Sequence, residues 1–235
     1  MHKARLVGLK KEIKSKIDID GRAMLQYDID KYDLPSEIKR WFACEDLTQI
    51  HNQYESDFDV LTFETDQSTV FHKKFYSMPH DSSFYKLYEK FVYEQIQPLF
   101  LEEIIFQKIP TFRTQVPNNV GVAEWHKDSD YNHDTKEINI FVPLTKAWDT
   151  NTVWAESRPG KKDYTPMNAD VGQFYLWMGS QLNHGNKVNQ TGLSRMSIDF
   201  RVMPLSDYTE NDRTSTSNNT KMTLGNYFKK MELKR

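Results

Sequence analysis

The chain has one cysteine, Cys44, among 235 residues. A lone thiol forms no internal disulfide and no multi-cysteine zinc site. An excess of charge is also lacking: 31 Lys plus Arg against 33 Asp plus Glu leave a net charge of −2. That excludes a dedicated nucleic-acid binder, which needs a basic face to displace counterions from phosphate. No apolar run approaches the roughly 18 residues of a transmembrane helix. The start, MHKARLVGLKKEIKSK, is charged and has no apolar stretch of the kind a secretory leader carries. The expected compartment is cytoplasmic, with neither a membrane nor a nucleic-acid polymer as partner. No internal repeat of fixed period is present. Nothing in the composition sets an oligomeric state.

Aromatic residues are what the chain has in quantity: 14 Phe, 12 Tyr and 5 Trp. Large rings bury much area each, so a chain of this length closes a core without staples. One catalytic domain over 1–235 is expected. Residues 1–104 form a mostly helical part that packs on a barrel, 105–204 the β core, and 205–235 a C-terminal loop and tail. The basic run 1–20 reads as a short surface helix or an arm. PSEIKRWFACE, 35–45, opens as a helix with Pro35 in or just before its first turn. In 81–100, Phe84, Leu87, Tyr88, Phe91, Val92 and Ile96 recur at helical spacing, with cap candidates at Asp81, Ser82 and Ser83 and a stop at Pro98. From 103 onward short apolar runs alternate with turn residues. Strands are expected in EIIFQKI, TFRTQVP, NVGVAEWH, EINIFVPL, NTVWAES, GQFYLWM, NHGNKVN and RMSIDFRVM. No helices intervene, which excludes a parallel α/β sheet. The fold class is mainly β with flanking helices: a jelly-roll or cupin-like barrel with an N-terminal helical buttress. SDYTENDRTSTSNNT, 206–220, reads as a loop or lid.

Three patterns carry chemistry. His126 and Asp128 in WHKD share one face if the segment is a strand, so imidazole and carboxylate aim at one point. Alone, such a pair is also an ordinary surface feature. His184 lies 56 residues beyond Asp128, at the start of another expected strand. Two His and one carboxylate form a facial triad that leaves three octahedral positions open, and suit Fe(II) better than a thiolate-selecting metal. Arg195 follows His184 by 11 residues, with Ser197 on the same strand face. A guanidinium fork plus a hydroxyl fits the far end of a dicarboxylic cosubstrate, although a lone Arg serves equally as a structural ion pair.

With these residues in place, the sequence resembles the Fe(II)/2-oxoglutarate-dependent oxygenases of the double-stranded β-helix fold. HKDSDYNHDTKEINIFVPLT is most similar to the streptomycin-biosynthesis-type dioxygenase branch, which has a similar His-x-Asp, a downstream Tyr and His, then Glu-x-Asn before an apolar strand. The resemblance spans about residues 105–203. It implies iron on His126, Asp128 and His184, 2-oxoglutarate held by Arg195 and Ser197, O2 as the second cosubstrate, and Asn139 lining the cofactor pocket. Related halogenases have Gly or Ala where Asp128 stands, so the carboxylate favours hydroxylation or a related oxidation.

Substrate candidates are Arg113 and Gln115 on the first barrel strand, Tyr131 in the loop after the iron motif, and Trp154, Glu156 and Arg158 at a strand end. Arg113, Arg158, Lys161 and Lys162 are candidates to favour an anionic group, and Lys161 and Lys162 read equally as a solvated turn. His133 reads as a plain loop residue, and Arg201 as a barrel ion pair. The expected activity is hydroxylation of a C–H bond in a small polar metabolite of amino acid, amino sugar, cyclitol or nucleotide type, with release of succinate and CO2. Two other readings stay open: a cupin-like isomerase, decarboxylase or 2-oxoglutarate-independent dioxygenase, which the metal triad alone permits, and a non-catalytic ligand-binding barrel, against which the intact triad argues. Neither needs Arg195-x-Ser197.

Overall fold

A computed structural model describes residues 8–53, 61–62, 65–215 and 220–230. Four α-helices come first: α1 Lys11–Asp20, α2 Leu34–Phe42, α3 Val70–Tyr76 and α4 Ser83–Phe91. Ten strands follow or intervene: β1 Arg22–Gln26, β2 Ile104–Gln107, β3 Thr111–Gln115, β4 Ile138–Pro143, β5 Val153–Ala155, β6 Thr165–Pro166, β7 Gln173–Trp177, β8 His184–Asn186, β9 Arg195–Pro204 and β10 Phe228–Lys230.

The large sheet runs β1-β7-β4-β9-β2-β10, with β3 also paired to β9; a smaller sheet runs β6-β5-β8. All pairings are antiparallel. β9 is the organising strand. Its ten residues meet β4 along one edge, and β3 and then β2 along the other. It therefore sets Arg195, Ser197, Asp199 and Arg201 at alternate positions on one face. β4 and β9 are buried almost throughout, because helices cover the sheet outside and side chains fill it inside.

The helical layer is fixed by rings. Phe75 of α3 stacks on Phe112 of β3 at 4.4 Å, and Phe42 of α2 stacks on the same ring at 5.8 Å. Tyr88 of α4 meets Phe200 edge-on and donates its hydroxyl to the Gln107 carbonyl at 2.7 Å. Asp33 caps α2 by accepting the Ser36 N–H, and Pro35 lies in its first turn. α4 continues as a π turn, Val92–Ile96, and a 3-10 turn through Leu99, so Pro98 ends the helix as expected.

The structure differs from the sequence reading at four places. Residues 119–125 form no strand: the N–H of Ala123 goes to the Asp66 carboxylate and that of Val120 to the Asn119 side chain, so no ladder is left to make. Only His126 pairs, as an isolated bridge to His184. The N-terminal part contributes a strand, β1, to the sheet edge at β7. β6 and β10 appear as well, each too short to leave a periodic signal. The basic start forms α1 from Lys11; the described part of 206–220 is irregular, as expected of a loop, and is tied down by Arg213 on Asp134 at 2.7 Å.

Candidate metal centre

One atom each from His126, Asp128 and His184 lies within 4.8 Å of the others. Nε2 of both imidazoles is 3.5 Å from Oδ1 of Asp128. The bridge between His126 and His184 brings the two rings together, with main-chain bonds of 2.9 and 2.8 Å. Each Nδ1–H donates to a carbonyl two residues earlier, Glu124 for His126 and Leu182 for His184, both at 2.9 Å. That fixes the tautomer and turns both Nε2 lone pairs to the same point. Burial first, and then the neighbouring His126, push the His184 pKa down to about 4, so the ring is neutral and ready to ligate.

Asp128 reaches the centre from the start of a 3-10 turn, Asp128–Tyr131, and not by strand alternation. Its carboxylate is held in place by neighbours. Oδ2 accepts from Arg201 Nη2 at 2.8 Å, from Arg201 Nε at 3.2 Å and from Asn139 Nδ2 at 2.7 Å. Burial opposes the charge, but Arg201 and then His126 outweigh it and hold the carboxyl well below its usual range. Oδ1 alone faces the imidazoles, a one-oxygen ligand set in advance. Arg201 is thus an ion pair, as expected, but its partner is a metal-ligand candidate; Asp199 shares it at 2.7 Å.

The ligands stand between a narrow recess of about 40 Å³ and a wider cavity of about 310 Å³. Arg195 lines the recess, 1% exposed. Nη1 donates to Ser197 Oγ at 2.8 Å, Nε to the Asn151 carbonyl at 2.9 Å and Nη2 to Gln115 Oε1 at 3.2 Å. These partners are all neutral, and among the described residues no carboxylate pairs with it. Burial, then repulsion from Arg113, lower its pKa to about 10. A buried cation without a counter-ion is costly, and an incoming carboxylate relieves that cost. The donor set fits iron, and the Arg195 guanidinium beside Ser197 fits a carboxylate.

Asn139 lines the recess with its Oδ1 buried and unbonded, while its Nδ2 braces Asp128. Arg113 lines both recess and cavity, 3.7 Å from Asp199. Gln115 aligns Arg195 and donates to three loop carbonyls, those of Asn119, Thr150 and Lys187. Tyr131 lines the cavity and donates to Glu124 at 3.0 Å. Trp154, Glu156 and Arg158 are outside both spaces. Trp154 lies under the Lys187 ammonium, Glu156 is buried beneath the N–H groups of Gly160, Lys162 and Asn183, and Arg158 is exposed. The sequence reading did not single out Asp66 and Glu124 on the cavity wall, or Tyr227 just before β10, and it gave His133 no role there. For His133 and Glu137 the four-residue spacing was the available signal; the others meet only through the fold.

No protein-family model matches the chain. Over 206 residues it is 36% identical to the streptomycin biosynthesis protein StrG of Streptomyces griseus, covering 87% of this chain and 96% of StrG. EctD from S. alaskensis, solved with 2-oxoglutarate and 5-hydroxyectoine, superposes with a TM-score of 0.54 at 13% identity, covering 86% of this chain and 78% of EctD. EvdO2 from Micromonospora carbonacea var. aurantiaca gives 0.51 at 12% identity, covering 83% and 91%. These structures share the barrel, while the StrG match carries the lineage. The chain belongs to the family of the streptomycin biosynthesis protein StrG.

Proposed function

We propose that this protein is a dioxygenase that hydroxylates a C–H bond of a small polar metabolite, converting 2-oxoglutarate and O2 to succinate and CO2. The observation that carries the reading is one recess with the His126-Asp128-His184 set at one end and the unpaired, buried Arg195 at the other. A metal isomerase or a binding barrel has no use for the second feature.

When bound, iron supplies the oxidising chemistry, which no side chain here can supply. His126, Asp128 and His184 would hold it, a set of three ligands that suits iron and cosubstrate together. Arg201 and Asn139 engage Oδ2 of Asp128, so Oδ1 is the oxygen that would serve as ligand. Arg195 and Ser197 take the far carboxylate and fix the cosubstrate's direction. Trp177, edge-on to His184 at 4.7 Å, helps close the recess against water.

The test is anaerobic titration of Fe(II) and 2-oxoglutarate, followed by O2 and assay of succinate. Asp128→Ala is expected to abolish succinate formation. Arg195→Ala is expected to raise the 2-oxoglutarate dissociation constant by roughly 100-fold, the loss of a charge-assisted fork. A wild-type protein that neither binds nor consumes 2-oxoglutarate refutes the proposal.

A further inference from the structure

The cavity above the metal ligands carries a charge pattern opposite to the one the sequence suggests. Arg158 and Lys161 sit on a different surface, and Lys161 is paired with Asp163 at 2.9 Å. The carboxylates of Asp66 and Glu124 line the cavity instead. Asp66 is 3% exposed; its Oδ2 accepts the Ala123 N–H at 3.1 Å, and burial pushes its pKa up. Glu124 accepts the Tyr131 hydroxyl. Among the described residues no Lys or Arg forms an ion pair with either. Arg201 is taken up by Asp128 and Asp199. Among the described residues that line the cavity, Arg113 is the other cation, 3.7 Å from Asp199, against the two carboxylates of Asp66 and Glu124.

An independent feature points the same way. The His133 side chain is 10% exposed and lines the cavity. Its Nδ1 lies 2.6 Å from Oε2 of the buried Glu137, whose other oxygen accepts the Asp134 N–H at 2.9 Å. A carboxylate at Nδ1 keeps a hydrogen on that nitrogen and leaves Nε2 free for a ligand group. Nε2 has no hydrogen-bond partner among the described residues. The carboxylates of Asp66 and Glu124 make the wall rich in acceptors, and what satisfies them is a ligand rich in donors.

We infer that the substrate, on the oxygenase reading above, carries a protonated amino or guanidino group received by Asp66 and Glu124, with a neighbouring hydroxyl hydrogen-bonded to His133 Nε2. A neutral analogue leaves the buried Asp66 carboxylate without its partner, and a site built for a donor rejects a molecule lacking it more strongly than an apolar pocket does.

The test uses the full chain loaded under argon with Fe(II) and 2-oxoglutarate. Loading is read first from the weak visible band of the chelated cosubstrate. Calorimetric titration then compares D-glucosamine, N-acetyl-D-glucosamine and D-glucuronate, which share a ring and differ in charge, at a pH where the amine is protonated. Glucosamine is expected to bind at least about tenfold tighter than the other two, and Glu124→Gln or Asp66→Asn to remove most of that preference. His133→Phe is expected to weaken all three, since each presents hydroxyls. If Asp66→Asn does not fold, Glu124→Gln, at an exposed position, decides alone. A normal band with no charge preference, a preference for glucuronate, or no binding overturns the inference and leaves the oxygenase reading standing. Absence of the band in the wild type overturns the oxygenase reading and this inference with it.

Discussion

Arg195 depends on a residue with no side chain. A Cβ built on Gly121 falls 2.9 Å from Arg195 Nη2 and 3.2 Å from Asn186 Oδ1. Gly121→Ala therefore displaces the guanidinium without touching the metal ligands. The Michaelis constant for 2-oxoglutarate is expected to rise about tenfold, with Mn(II) affinity, followed by electron paramagnetic resonance, unchanged; sub-ångström misplacement of a positioning group is enough for that. A parallel loss of metal affinity would show that the glycine supports the whole centre. At this scale the ligand candidates and the shared face of Arg195 and Ser197 were legible, although His126 and Asp128 converge through an isolated bridge and a 3-10 turn rather than the shared strand face expected of their spacing. Asp66 was not, because its place on the cavity wall depends on a long-range bond to Ala123 that no local pattern records. Glu156 misleads for the converse reason. A carboxylate at a strand end looks available, yet three backbone N–H groups already occupy it.

The elements differ in legibility for equally physical reasons. α4 shows a helical stripe because its buried face is made of rings at regular spacing. β1 shows no alternation because only Ala23 of its five residues is buried. α3 has seven residues and two adjacent lysines, too little for a period, yet it places His72 against the barrel. His72 is 1% exposed, with Nδ1 bonded to Thr69 Oγ1 at 2.7 Å and Nε2 unbonded, and its ring lies edge-on to Phe112. Burial, and then Arg113, lower its pKa to about 3. The unfolded chain therefore takes up this proton first as pH falls. Stability is full above the unfolded value of about 6.5 and is lost progressively from there down to the folded value. Between pH 6.5 and 4.5 His72 alone is expected to remove about 2 kcal/mol. Urea denaturation of the metal-free protein across that window checks it. His72→Phe should flatten the slope by that amount, and an unchanged slope would place the acid sensitivity elsewhere.

For the molecule as a whole, the barrel is completed from both ends of the described chain. β1 extends the sheet beyond β7, and β10 covers β2 at the other edge. The C-terminal segment does two things there. Met222, Tyr227 and Phe228 bury themselves with Ile105 and Met203 as a second apolar cluster outside the main core. Tyr227 also forms part of the cavity wall. Removal of residues 220–235 takes away three large buried side chains, each worth roughly 1.5–3 kcal/mol as an upper estimate, and exposes the apolar β2 strand as a free edge. The ion pairs Lys229–Glu89 and Lys230–Glu103 add little, because both are substantially exposed. Against a total stability of roughly 5–15 kcal/mol, a loss near 5 is severe. The truncated chain is expected to melt at least about 10 °C lower and to associate through β2, seen as a shift to larger species in size-exclusion chromatography. Phe228→Ala separates the two effects. It removes packing but keeps the strand, so it should cost about 3 kcal/mol and leave the protein's elution position unchanged. If Phe228→Ala also associates, packing rather than edge coverage protects β2. If the truncation alone does, the short strand after the loop is what closes the sheet.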